Sequence, residues 1–88
     1  YLSAVERAEA VQLVRALEAM ADAMRAGEAD IAAIEARAMQ SLAARGWHPD
    51  YMVVRRRQDL QAPRPGDAMV VLGAARLGST RLLDNLES

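Results

Sequence analysis

The sequence predicts an α+β domain, an antiparallel helical hairpin packed on a three-stranded antiparallel sheet. Three observations predict it. Apolar residues recur at helical spacing as far as about residue 45. After Pro49 the texture changes to short, β-rich apolar runs. The links between those runs are too short for helical crossovers, which leaves antiparallel pairing. At 88 residues there is room for one small domain, burying roughly 60% of the surface its unfolded chain exposes.

The first helix is expected from Ser3 to about Arg25. Ser3-Ala4-Val5-Glu6 fits a capping box, in which hydroxyl and carboxylate each satisfy an orphan backbone N–H. Ala10, Leu13, Val14, Leu17, Met20, Ala21 and Met24 form its apolar stripe, and Gly27 is its stop. A second helix is expected from Asp30 to Arg45, with Ile31, Ile34, Ala38 and Leu42 inward, Glu28 and Asp30 at its positive end, and Gly46 closing it. Tyr51 to Val54, continuing into Arg55, reads as the first strand. Gln61 to Asp67, with two prolines and a glycine, reads as a loop. Met69–Ala75 reads as the central strand and Thr80–Leu86 as the third. Alternation puts Met69, Val71, Gly73 and Ala75 on one face and Val70, Leu72 and Ala74 on the other. Both faces are apolar although two helices cover only one, so the second face calls for another cover.

Composition excludes several function classes. Hydrophobic residues make up 52% of the chain but aromatics only 3%, with no Phe, so the core is aliphatic. The net charge of −1 lacks the basic footprint of a nucleic-acid domain. The absence of cysteine removes disulfides, thiolate zinc sites and cysteine nucleophiles. All basic residues are Arg, which removes Schiff-base and P-loop lysine chemistry. No apolar run approaches the roughly 18–20 residues of a membrane span. The chain begins with Tyr rather than Met, and is expected to be a piece of a longer protein.

Few residues invite a chemical reading. His48 lies in Gly46-Trp47-His48-Pro49, read as a turn, and has no metal-ligand partners at suitable spacing. Trp47 is expected to plug the end of the hairpin rather than stack on a ligand. Arg55-Arg56-Arg57, with Arg64 nearby, is the one basic run; phosphate contact competes there with a plain solvated strand end. Gly73-Ala74-Ala75-Arg76-Leu77-Gly78 looks like a phosphate loop but is followed by no helix. Spacing nominates no catalytic, cofactor-binding or metal-ligating residue. Arg81 and Asp84 sit three apart, so on a strand they face opposite sides and do not pair. Asp84 is expected to accept from Arg55 or Arg76 on a neighbouring strand.

Two stretches resemble the pantothenate synthetase (pantoate–β-alanine ligase) family. Tyr1-Leu2-Ser3, with Glu6-Arg7 and Ala10, resembles the segment just after that family's Ser-Arg-Asn signature. Ala74-Ala75-Arg76-Leu77-Gly78-Ser79-Thr80-Arg81-Leu82-Leu83-Asp84-Asn85 resembles its C-terminal signature. Gly27-Glu28, Gly46, Asp50-Tyr51 through Arg55, and Leu60 fall where the family pattern has them, while Arg56 stands where the family usually carries an acid. The resemblance implies a C-terminal lid domain whose partner is an N-terminal Rossmann-like domain carrying the adenylate-forming site. It also implies ATP with Mg2+, pantoate and β-alanine as the small molecules, a cytoplasmic homodimer, and no nucleic-acid or membrane partner. The fragment alone is then expected to be inactive. A freestanding, non-enzymatic helical-hairpin interaction module explains the amphipathic helices equally well, but not the closing signature.

Overall fold

The structure, a computed structural model, describes residues 3–64 and 66–87. Tyr1-Leu2 of the opening motif, Pro65 of the loop and Ser88 lie outside them. The elements are α1 (Ala4–Arg25), α2 (Ile31–Ala44), β1 (His48–Arg56), β2 (Met69–Leu77) and β3 (Thr80–Glu87). The strands form one antiparallel sheet in the order β1-β2-β3, and the helices pack on one of its faces.

Local chemistry sets the ends of the helices. Ser3 Oγ accepts from the Glu6 N–H at 3.1 Å while Glu6 Oε1 accepts from the Ser3 N–H at 2.9 Å. Asp30 Oδ1 caps α2 by accepting from the Ala33 N–H. Both helices end in the same motif. Glu28 N–H reaches back to Ala23 and Gly27 N–H to Met24; likewise Trp47 N–H bonds Leu42 and Gly46 N–H bonds Ala43. Gly27 and Gly46 take φ of +88° and +92°, which a side chain would strain. The second of these motifs turns Trp47 back over Leu42 and into the core, where it is 2% exposed.

The core consists mainly of Leu13, Leu17, Met20, Ile34, Leu42, Trp47, Met52, Val54 and Val71. Two inward positions of α1 differ from the sequence pattern. Val14 is 39% exposed, and Ala16 is buried in its place, because α1 has to face both α2 and the sheet. The strands run longer than expected: β1 begins at His48, which is therefore a strand residue and not part of a turn, and β2 and β3 reach Leu77 and Glu87. β1 carries a bulge between Pro49 and Tyr51, which leaves Asp50 without a partner on β2.

Gly73 is the tightest point between the layers. A Cβ there would lie 2.6 Å from Met52 Sδ and 3.2 Å from Leu13 Cδ1. Gly73→Ala should therefore cost about 1–3 kcal/mol through overpacking, measured as a lower urea midpoint with an unchanged m-value. Amide exchange should be slowest along Met69–Leu77, the strand paired on both edges.

Candidate functional site: the outer face of the sheet

Glu9 ties the hairpin to the sheet. Its carboxylate accepts from Arg45 Nε at 2.6 Å, Arg45 Nη2 at 2.8 Å and Trp47 Nε1 at 3.1 Å. These bonds, the Arg45 guanidinium first and the indole second, hold the Glu9 carboxyl at about 2, below the ordinary 4.5. Glu28 is likewise lowered by Arg37, which it meets at 2.9 and 2.6 Å across the helix–helix turn.

The basic run is spent on the fold. Arg55 Nη1 donates to the Val54 carbonyl at 2.9 Å and lies 3.4 Å from Glu35 on α2, whose Oε2 also accepts from the Val54 N–H at 2.8 Å. Both outward backbone groups of Val54 on the β1 edge are thereby occupied. Arg56 forms a two-point pair with Asp59 at 2.8 and 2.6 Å, and Asp59 also accepts from the Gln61 N–H. The guanidinium, with that N–H second, lowers the Asp59 carboxyl. So Arg56 closes the β1–β2 loop. Arg57 pairs with Glu87. Arg55, Arg56 and Arg57 thus each face a carboxylate of the same chain, which favours the structural reading of the run over phosphate contact. Arg64 is held through its backbone N–H, which donates to Asp67 at 2.8 Å.

The face turned away from the helices is ordered in rows by the strand register. His48, Arg76 and Arg81 form one row; Tyr51, Ala74 and Leu83 the next; then Val53, Leu72 and Asn85; then Arg55, Val70 and Glu87. Arg81 Nε donates to Asp50 Oδ2 at 2.8 Å, bridging from β3 to β1 across β2. Ala74, between these strands, is fully buried, and Val70 sits beside Leu60 of the loop in a shallow groove. The second apolar face is thus partly covered by the chain itself. Leu83 at 63% exposure and Tyr51 at 38% are not. Leu60 projects from the loop with φ of +60°, a strained conformation for a branched side chain.

Arg81 and Asp84 do not pair, as the strand geometry requires. The expected partner of Asp84 is not found: Arg55 is taken by Glu35, no described pair involves Arg76, and Asp84 Oδ1 accepts from the Asn85 N–H at 2.8 Å. Asp84 lies on the exposed edge strand, where its own neighbour is the nearer donor. Residues 73–78 belong to β2 and the turn after it, so the glycine-flanked stretch is no phosphate loop.

Comparison with known proteins decides the family. The model of the family described as pantoate-beta-alanine ligase matches residues 1–87. The chain belongs to the pantoate–β-alanine ligase family. Two crystal structures of pantothenate synthetase from Thermus thermophilus are similar to it, each 30% identical, with TM-scores of 0.83 and 0.80. Each match covers 99% of this chain but 32% of the other, so the chain spans about a third of the length of those ligases.

Two outcomes follow for this chain. The folded-state Glu9 carboxyl lies below its unfolded value, so its contribution is present above pH 4.5 and lost as pH falls toward about 2. Glu9→Gln should accordingly be less stable than the parent at pH 6, with the gap between their urea midpoints closing by about pH 2. Glu35→Ala should cost about 1–3 kcal/mol by leaving the Val54 N–H without its acceptor, and Glu35→Gln should recover part of it in the same denaturation assay.

Proposed function

We propose that this chain is the C-terminal lid domain of an ATP-dependent, AMP-forming pantoate–β-alanine ligase, closing over an adenylate-forming N-terminal domain of Rossmann-like type. In that reaction the pantoate carboxylate attacks the α-phosphorus of ATP, forming pantoyl adenylate and releasing pyrophosphate. The β-alanine amine then attacks the acyl carbon and AMP leaves. Magnesium enters with ATP as part of the substrate. Among the described residues no group of three His, Cys, Asp or Glu could hold it. The intact ligase is proposed to be a cytoplasmic homodimer; no helix among the described residues is long and apolar enough to cross a membrane.

The observation that carries this reading is the outer sheet face. Leu83 and Tyr51 are exposed there beside the apolar Leu72 and Val53, in a chain that matches only 32% of a homologous ligase. An apolar face of this kind suits contact with another domain. A lid has a defined chemical task in this reaction: an acyl adenylate is hydrolysed by water, and covering it directs the acyl group to the amine.

The purified 88-residue chain, assayed for AMP release with ATP, pantoate and β-alanine, should give none above the uncatalysed background. In the intact ligase, Leu83→Asp should spare the domain's own fold, because the side chain is exposed. It should make AMP exceed pantothenate as adenylate is lost to water. A ratio that stays at one to one with unchanged kinetics would refute the outer face as the closing surface.

A further inference from the structure

We propose that His48, Arg76 and Arg81 form a phosphate-binding row on the outer face of the sheet. Assigning its ligand to the nucleotide phosphates or to pyrophosphate rests on the lid reading above; the anion site itself does not.

The register puts the three side chains directly opposite one another on β1, β2 and β3. Like charges opposed across an antiparallel pair repel; Asp50 offsets the charge of Arg81, while Arg76 opposite it is in none of the described ion pairs. Arg76 differs from the four other arginines in or beside the strands. Arg55, Arg56 and Arg57 each meet a carboxylate, and Arg81 meets Asp50. None of the described ion pairs involves Arg76, which is exposed.

Arg81 is already positioned. Asp50, the unpaired bulge residue, takes its Nε, and no described hydrogen bond uses its two Nη groups. The bulge thus draws the Arg81 guanidinium across β2, over the strand that carries Arg76. Two guanidiniums and an imidazole present more donors than the two oxygens of a carboxylate can satisfy. A phosphate group, with three or four oxygens in a tetrahedron, matches that donor set. The next row supplies Tyr51 and Leu83, an apolar ledge against which the organic body of a phosphate ester can lie.

The test uses the 88-residue chain alone, so its failure would leave the lid reading standing. The chain is titrated with inorganic pyrophosphate, AMP and adenosine at constant ionic strength, following backbone amides and arginine Nε–H signals by NMR. Saturable shifts at residues 48, 76 and 81 are expected, with adenosine inert. Arg76→Ala should weaken the affinity about tenfold, equivalent to about 1.4 kcal/mol. Arg57→Ala, on the Glu87 pair away from the row, should leave it unchanged. Saturation by pyrophosphate alone assigns the row to the leaving group, and saturation by both phosphates assigns it to the nucleotide. Shifts that rise linearly, persist in Arg76→Ala or fall equally in Arg57→Ala overturn the proposal.

Discussion

The Glu9 carboxylate is the point on which the arrangement of layers depends. It receives the guanidinium that caps α2 and the indole that follows it, so a residue near the start of α1 fixes both the end of α2 and the entry to β1. The glycine motif at Gly46 turns Trp47 inward, but the indole N–H must still find an acceptor when buried. Glu9 supplies it from the rim, keeping the carboxylate solvated enough to stay charged. An aliphatic core this small leaves the orientation of the hairpin poorly defined by shape alone. One directional contact between α1 and the only tryptophan supplies what bulkier aromatic packing gives in larger domains.

The outer face shows a division of labour among arginines. Five lie in or beside the strands. Those at the end of β1 are consumed by loop closure and edge protection, while those near the β2–β3 turn stay on the outer face of the sheet. The bulge at Asp50 links the two uses. It costs β1 one residue of register and returns a carboxylate that holds Arg81 across the sheet.

Much of this was legible in the chain. The Ser3–Glu6 capping box, the two glycine stops and the central, doubly apolar strand are local signals and appear where the pattern puts them. The closing motif identified the family because it is long and specific. What escaped the sequence depends on contacts between distant residues. Glu9 and Glu35 read as ordinary solvent-facing helix acids, and nothing at their own positions says that one faces a tryptophan 38 residues away and the other an edge-strand amide. Arg76 was overshadowed by the denser Arg55-Arg56-Arg57 run, since sequence density shows where charges are many and not which are already neutralised. The row that joins it to His48 and Arg81 requires the register, and the register is shifted by a bulge that no turn residue announces.

The occupied backbone of Val54 also governs how copies of this fold can join. A strand approaching β1 meets a residue whose amide and carbonyl are both engaged, one by Glu35 and the other by Arg55. The sheet therefore grows more easily from the β3 side than from the β1 side. Fibres need two receptive edges on every subunit, one to give and one to receive. A subunit with a single receptive edge pairs with one neighbour through a two-fold axis, and the growth stops there.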